Sequence, residues 1–201
     1  MENQEIEVKF HVKDLAGLER RLQELGARLA APRVYETNLR FDRPDGSLAS
    51  SFQVLRLRQD AAARLTYKGP SQYQDGARVR TEIEFEVGDF DKAKALFEAL
   101  GYQVALMYEK HRTTYVLDEV DVVLDEMPYG AFAELEGPDP ARLQSLATRL
   151  GLDWERRAPD SYTAIFERLR GVYNFTFRDL SFENFQGKEY PLAAIGIRPA
   201  D

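Results

Sequence analysis

The stretch from residue 78 to residue 87, which reads RVRTEIEFEV, decides the fold. Its even-numbered positions hold only arginine and glutamate, whereas its odd-numbered positions hold valine, threonine, isoleucine and phenylalanine. Successive side chains of a β-strand point to opposite faces of a sheet. The stretch is therefore predicted to be a strand with one almost fully ionised face and one mostly apolar face.

The same alternation recurs in four other segments of the chain. An open sheet with one solvated face and one packed face would give this pattern. Here, however, the polar face mixes acids with bases and prefers arginine and glutamate to neutral polar residues, so the sheet is predicted to curl around it. Charges in a confined space need partners, and a metal ion and a polyanion would complement the carboxylates and the cations respectively. The ionised positions are Glu5, Glu7 and Lys9; Arg56 and Arg58; Lys110 and Arg112; and Glu134 and Glu136.

Three segments predict helices, each with an aspartate at its N-cap and a Leu-Gly pair at its end. They run from Asp14 to Gly26, from Asp89 to Gly101 and from Asp139 to Gly151, with large apolar residues at helical spacing. A short strand that carries Glu-x-Glu precedes each helix. The predicted fold class is α+β: a closed antiparallel β-barrel with a charged lumen and with the helices packed outside. The remaining strands are expected near residues 34–42, 51–59, 63–69, 77–87, 106–117 and 120–126.

The chain divides into a body and an aromatic tail. Residues 1–170 carry the alternating strands and the helices, and they are predicted to form one domain. Residues 171–201 are rich in tyrosine and phenylalanine and show no helical period. Because disordered tails are poor in aromatic residues, this extension is expected to pack on the body.

Composition limits the class of protein. The 201 residues suit one domain, and the net charge of −7 argues against broad nucleic-acid binding. No apolar run is long enough to span a membrane, and the polar segment from Met1 to Glu5 is unlike a signal peptide. The absence of cysteine makes the reducing cytoplasm the expected location. Since only His11 and His111 could supply imidazole, a metal is expected to be held by carboxylates, which favours magnesium, manganese or calcium.

The charged segments resemble, in order along the chain, the motifs of the CYTH superfamily, whose members are also called triphosphate tunnel metalloenzymes. The signature Glu5-Ile6-Glu7-Val8-Lys9 is common by itself, but the further elements follow in the family order over roughly residues 1–170. One departure is Asn38, because relatives usually carry an acid in that strand. The further elements are Leu55-Arg56-Leu57-Arg58, Tyr67-Lys68-Gly69-Pro70, Arg80-Thr81-Glu82-Ile83-Glu84, Glu109-Lys110-His111-Arg112, Asp125 followed by Gly130 to Glu136, and Ser161-Tyr162.

The resemblance implies a tunnel that holds a triphosphate together with Mg²⁺ or Mn²⁺. Phosphoryl transfer depends on charge neutralisation and alignment more than on covalent catalysis. Arginine and lysine suit phosphate oxygens, and carboxylates suit magnesium. The predicted substrate-binding residues are Lys9, Arg56, Arg58, Lys68, Arg80, Lys110 and Arg112. The predicted metal ligands are Glu5, Glu7, Asp125, Glu134 and Glu136.

Several neighbouring residues receive more specific predictions. Lys110 is also predicted to be catalytic, since burial among the tunnel cations would favour its neutral amine, which could help to activate water. Glu82 and Glu84 are expected to pair with lumen arginines rather than to hold a metal. His111 faces away from its charged neighbours and is expected to pack, whereas Tyr35 is expected at the tunnel mouth.

The family includes class IV adenylyl cyclases, thiamine triphosphatases and inorganic triphosphatases. We expect a metal-dependent triphosphatase that hydrolyses inorganic triphosphate or a nucleoside or thiamine triphosphate. One alternative is a class IV adenylyl cyclase, which converts ATP to cyclic AMP and pyrophosphate. Another is a non-catalytic triphosphate sensor, against which the intact acidic set argues. The expected partner is a small molecule that contains a triphosphate, with no nucleic acid and no membrane, and a homodimer is left open.

Overall fold

A computed structural model of the chain describes residues 4–201, which form nine strands and six α-helices. The strands are β1 (Gln4–Val12), β2 (Arg28–Asp42), β3 (Val54–Gln59), β4 (Ala63–Lys68), β5 (Gln72–Gln74), β6 (Ala77–Val87), β7 (Gln103–Leu117), β8 (Val120–Met127) and β9 (Gly130–Glu136). The helices are α1 (Leu15–Glu24), α2 (Ser47–Ser50), α3 (Phe90–Ala99), α4 (Pro140–Arg149), α5 (Tyr162–Tyr173) and α6 (Phe182–Phe185), with 3₁₀ turns at Trp154–Arg156 and Leu192–Ile195.

The strands form a closed antiparallel ring, as predicted. Their order is β1, β9, β8, β7, β2, β3, β4 and β6, and β6 pairs back with β1, while β5 lies beside β6. The strand that decides the fold also closes the ring. Residues 82–87 of β6 pair with β4, and residues 78–81 pair with β1, which sets Glu5 opposite Arg80 and Glu7 opposite Arg78.

The three predicted helices cover outer faces of the ring. Each begins at its aspartate, whose side chain accepts a backbone N–H of the first turn. Helices α1 and α4 bury Leu22, Leu143 and Leu150 in a core shared with apolar residues of β1, β8 and β9. Helix α3 packs over Phe41 and Leu57 of β2 and β3. Each fully buried leucine contributes about 1.5–3 kcal/mol to stability.

Some predicted boundaries were wrong. The strand expected at residues 51–59 begins only at Val54, because helix α2 and its C-terminal turn occupy the preceding residues. Helix α5 was not predicted, although Ser161 caps it by accepting the N–H of Ala164. Its buried face carries Ile165, Phe166 and Leu169, and the helix runs through the predicted domain boundary at residue 170. None of the helices in the described part of the chain is long and apolar enough to cross a membrane.

The aromatic tail lies along α5 and β7. The rings of Phe175 and Phe177 stack with that of Phe166, at centroid distances of 6.1 and 6.0 Å. Leu180 donates its N–H to Met107 O at 2.9 Å, so the tail is also bonded to the edge of β7. In the structure the tail therefore shares one apolar cluster with α5.

Candidate active site in the lumen of the sheet

A cavity of about 990 Å³ occupies the interior of the ring. It brings together every predicted substrate-binding residue and four of the five predicted metal ligands. Sequence reasoning missed other charged or phenolic residues of the lining, although several occupy alternate positions in strands that had been predicted. The predicted residues in the lining are Lys9, Arg56, Arg58, Lys68, Arg80, Lys110, Arg112, Glu5, Glu7, Glu134 and Glu136. The missed ones include Glu36, Arg40, Arg64 and Tyr108.

At the junction of β1 and β6, carboxylates and cations neutralise each other. Glu5 accepts from Lys68 Nζ at 2.8 Å and from Arg80 Nε at 2.7 Å. Glu7 accepts from Arg78 and Arg80, at 3.2 Å each. Burial acts to raise the pKa of Glu5, but the charges of Lys68 and Arg80 outweigh it and hold that pKa far below its ordinary value. These cations are thus partly neutralised in the absence of a ligand.

A second group of charges surrounds Lys110, whose exposure is only 1%. Its Nζ lies 3.2 Å from Asp125 Oδ2 and 3.6 Å from Glu36 Oε2. The pKa of Glu36 is lowered to about 2, because Lys110 and Arg112 outweigh the effect of burial. Lys110 is thus held between two carboxylates in the cavity wall. The catalytic role of Lys110 stays a prediction.

Asp125, predicted as a metal ligand, lies behind this group and is not part of the cavity lining. It is fully buried. Its carboxylate accepts from Arg112 Nε at 2.7 Å, from Arg112 Nη2 at 2.5 Å and from the hydroxyl of Tyr162 at 2.7 Å, besides Lys110. These donors use most of its acceptor capacity. Its surroundings favour a role in positioning Arg112 and Lys110.

The arginines of β3 share one carboxylate. Glu84 lies 2.9 Å from Arg58 Nη2 and 3.3 Å from Arg56 Nη2, so the predicted pairing of Glu84 with lumen arginines is confirmed. Glu82 pairs instead with Lys68, at 2.9 Å. Strand β3 thus presents two adjacent guanidinium groups to the cavity, a geometry suited to bidentate contacts with phosphate.

Tyr35 of β2 and His111 of β7 lie on the outer face. His111 packs edge-on against Tyr35 and Phe182, at centroid distances of 5.3 and 5.1 Å, which confirms its predicted role. The position predicted for Tyr35 was wrong, because it lies with His111 and not at the cavity. Strand alternation explains this, since the neighbouring Glu36 is the residue that points inward.

Two carboxylates of the lining have raised pKa values. Burial raises the pKa of Glu136 to about 8, and the nearby carboxylate of Glu5 adds to the rise. Burial likewise raises the pKa of Glu82 to about 7. Solvent screens part of the repulsion at Glu136, because that residue also reaches the surface. A cation placed among these carboxylates would relieve their repulsion.

This donor set fits a hard divalent cation. Within residues 4–201, no three acidic or histidine side chains are arranged as metal ligands, and Glu5, Glu7 and Glu134 are bonded to lumen cations. Their carboxylate oxygens, together with the repulsion felt by Glu136, match the ligands that magnesium and manganese prefer. Mg²⁺ or Mn²⁺ is therefore compatible with this side of the cavity once the carboxylates are released from their present partners.

We expect the Glu136→Gln variant to gain thermal stability relative to the wild type as the pH rises from 5 to 9. The folded-state pKa of about 8 exceeds the ordinary 4.5, so the folded protein holds a proton that the unfolded chain releases between these values. Wild-type stability is therefore lost across this range, and the variant avoids that loss. Melting temperatures measured with and without Mg²⁺ test this, and Mg²⁺ should stabilise the wild type more than the variant at pH 9.

The matched control is Glu98→Gln, which removes an exposed carboxylate on α3. Its melting temperature should follow the wild type at every pH. If the melting temperatures of wild type and Glu136→Gln change with pH in parallel, the ionised carboxylate of Glu136 is not destabilised by its surroundings.

Comparison with known proteins identifies the family of the chain. The family model of the CYTH domain matches residues 3–162. The chain belongs to the CYTH domain family. Adenylate cyclase CyaB of Aeromonas hydrophila is 30% identical to this CYTH chain over 177 residues, which cover 82% of the chain and 89% of that protein.

Solved structures place this CYTH chain among proteins of the same fold. A protein of Pyrococcus horikoshii is 29% identical, with a TM-score of 0.68 over 80% of this chain and 98% of that one. A Hippeastrum protein, whose structure is described as revealing a dominant triphosphatase activity, is 20% identical. It has a TM-score of 0.63 over 82% of this chain and 95% of its own. At that identity the likeness shows the fold alone.

Proposed function

We propose that this CYTH domain is a divalent-metal-dependent triphosphatase. The observation that carries the proposal is the single cavity of about 990 Å³ that is lined by cations from six strands. A triphosphate is the common small ligand that supplies several negative charges in a row.

In the proposed reaction, the lumen cations exchange carboxylate partners for phosphate oxygens. Arg56 and Arg58 would leave Glu84 and contact the triphosphate, while Lys110 and Arg112 would neutralise its far end. A water oxygen then bonds to the terminal phosphorus as the bond to the bridging oxygen breaks. Orthophosphate and the shortened phosphate chain are released.

Mg²⁺ or Mn²⁺ would be held by Glu5, Glu7, Glu134 and Glu136, where it would neutralise phosphate charge and polarise the bond that breaks. The protein's own contribution is alignment of the substrate and a fixed arrangement of positive charge around it.

Adenylyl cyclase activity is the second candidate. Its support is the 30% identity to a protein named adenylate cyclase, over most of both chains. In that reaction the 3′-hydroxyl of ATP attacks the α-phosphorus, and pyrophosphate leaves. The same cations would bind the substrate, so the two reactions differ in the group that attacks and in the phosphorus that it reaches.

Product analysis tests the proposal. The protein is incubated with Mg²⁺ or Mn²⁺ and with inorganic triphosphate, ATP or thiamine triphosphate, and orthophosphate, pyrophosphate and cyclic AMP are measured. Metal-dependent orthophosphate without cyclic AMP is the expected result. Cyclic AMP with equimolar pyrophosphate would replace the proposal with the cyclase, and binding of ATP without any product would favour a sensor.

A further inference from the structure

The turn that ends helix α2 places a phenylalanine where other helices of this chain have glycine. Phe52 has a φ of +56°, in the left-handed region. The corresponding residues after α1, α3 and α4 are Gly26, Gly101 and Gly151, with φ of +80°, +86° and +73°. Glycine enters this region at no steric cost, whereas a bulky L-residue is strained there.

Backbone hydrogen bonds fix this turn. The N–H of Phe52 donates to Ala49 O at 3.0 Å, and that of Gln53 donates to Leu48 O at 2.8 Å. This is the Schellman pattern of a helix C-terminus, in which glycine is the usual residue at the position of Phe52. Asp42 supports the turn by accepting the N–H groups of Leu48 and Ala49, at 2.9 and 3.0 Å. The phenyl ring takes no part in these bonds.

The ring of Phe52 also contributes little to packing. It is 78% exposed, the largest exposure among the exposed large apolar residues of the described chain. It belongs to none of the three apolar clusters and pairs with no other aromatic ring within residues 4–201. The apolar contact that accompanies a Schellman turn uses the following residue, which here is the polar Gln53. Phe52 therefore carries two costs, strain and exposure, without a matching gain for the fold.

Phe52 lies instead at the cavity. Phe52 lines it together with Gln53 and Val54, which lead directly into the lumen arginines of β3. Two residues of a strand span about 7 Å, so Val54 is one side-chain step from Arg56. Val54 is also paired with Lys68, which brings Pro70 and Ser71 of the next loop to the same rim. This part of the rim is thus uncharged, with one aromatic residue, whereas the lumen below it is ionised.

The size of the cavity supports a ligand larger than a bare triphosphate. Sites for organic ligands of drug size commonly enclose about 300–1,000 Å³, and this cavity of about 990 Å³ lies at the upper end. An inorganic triphosphate would use the charged lumen and leave the rim empty. An exposed aromatic ring at the rim provides a face for stacking, and the amide of Gln53 offers both a donor and an acceptor.

We infer that Phe52 is a specificity-determining residue, whose ring stacks on the planar heteroaromatic group of an organic triphosphate while the lumen cations hold its phosphates. The inference rests on the proposed function and narrows its substrate to organic triphosphates. A nucleobase and the aminopyrimidine of thiamine triphosphate share the required chemistry. When such a substrate binds, its planar ring covers the exposed ring of Phe52. Substrate binding would therefore account for a residue that is both strained and exposed in the fold.

The test compares kcat/KM for ATP, thiamine triphosphate and tripolyphosphate in the wild type and in Phe52→Gly, Phe52→Tyr and Leu96→Ala. Stacking of one base on an aromatic ring corresponds to about a 5- to 100-fold effect. We expect Phe52→Gly to lower the ratio of kcat/KM for the organic triphosphate to that for tripolyphosphate by this factor. Phe52→Tyr should preserve the ratio, and so should Leu96→Ala, which removes an exposed apolar side chain on α3.

Each outcome is informative. Because glycine relieves the strained φ, the melting temperature of Phe52→Gly should not fall, which separates the effect from misfolding. If Phe52→Gly lowers the ratio of kcat/KM for ATP to that for tripolyphosphate, the group that stacks on Phe52 is a nucleobase. If it lowers the ratio for thiamine triphosphate, the group is the aminopyrimidine. If Phe52→Gly changes kcat/KM equally for all three substrates, or for none of them, the inference is wrong. If the wild type consumes none of them, the proposed function fails. Calorimetric binding of ATP and tripolyphosphate to wild type and Phe52→Gly then still decides the role of Phe52.

Discussion

Replacing Lys110 with methionine is expected to lower kcat for the triphosphate substrate by about 100- to 1,000-fold, the usual loss when one group that stabilises charge in the transition state is removed. Lys110 is almost fully buried in the cavity wall, and strands β7 and β2 fix its position between Asp125 and Glu36. Methionine has a similar length and fills a similar space, but it leaves those carboxylates without one of their cations. Turnover should therefore fall much more than the affinity for Mg²⁺.

Loss of stability must be separated from loss of catalysis in this variant. Removing one partner of a buried ion pair is destabilising. Lys110→Met is therefore compared with the double variant Lys110→Met/Glu36→Gln, which restores the local charge balance. We expect the double variant to recover melting temperature without recovering kcat. Arg33→Met, which removes an exposed cation bonded to Glu126 outside the cavity, should retain wild-type kcat. A kcat for Lys110→Met within threefold of wild type would remove Lys110 from the reaction.

The alternation of charged and apolar residues was enough to predict the ring and most of its lumen. Every strand that carried this pattern contributes at least two of its ionised residues to the cavity, because side chains two residues apart in a strand point to the same face. The same rule would have corrected the interpretation of Tyr35, since the inward-facing Glu36 is its neighbour. Local capping residues similarly predicted α1, α3 and α4, because aspartate N-caps and C-terminal glycines act within a few residues.

Features that depend on contacts between distant residues could not be predicted from the sequence. The closure of β6 onto β1 joins segments about 70 residues apart, and no local signal specifies it. Helix α5 lacks the glycine that ends α1, α3 and α4, and it ends instead at Asn174, in the left-handed conformation. The alternation assigns Asp125 to the inner face of β8, but it does not show that Arg112 and Tyr162 cover its carboxylate. The turn at Phe52 was not predicted, because its position in the left-handed region is usually occupied by glycine and here holds phenylalanine.

Replacing Asp125 with asparagine is expected to lower the melting temperature by about 10 °C. Breaking a buried ion pair typically costs about 3–5 kcal/mol, and about 1 kcal/mol corresponds to 2–4 °C in a chain of this size. Asparagine is nearly isosteric, but it has one acceptor oxygen where Arg112, Lys110 and the Tyr162 hydroxyl now share two. Its amide group would also point N–H donors at these donors. Thermal denaturation with Asp118→Asn, which changes an exposed aspartate paired with Arg149, provides the matched control.

The same variant distinguishes a metal ligand from a positioning residue. A ligand's removal should weaken Mg²⁺ binding strongly, whether or not substrate is present. If Asp125 instead positions Arg112 and Lys110, Asp125→Asn should keep Mg²⁺ affinity close to that of the wild type. Its KM for the triphosphate should then rise, because the guanidinium and the ammonium are no longer held in place. Titration of Mg²⁺ at a temperature well below the transition, with Glu134→Gln measured alongside, separates the two roles. An Mg²⁺ affinity reduced as much in Asp125→Asn as in Glu134→Gln would restore Asp125 to the metal site, since only a direct ligand has that effect on the ion.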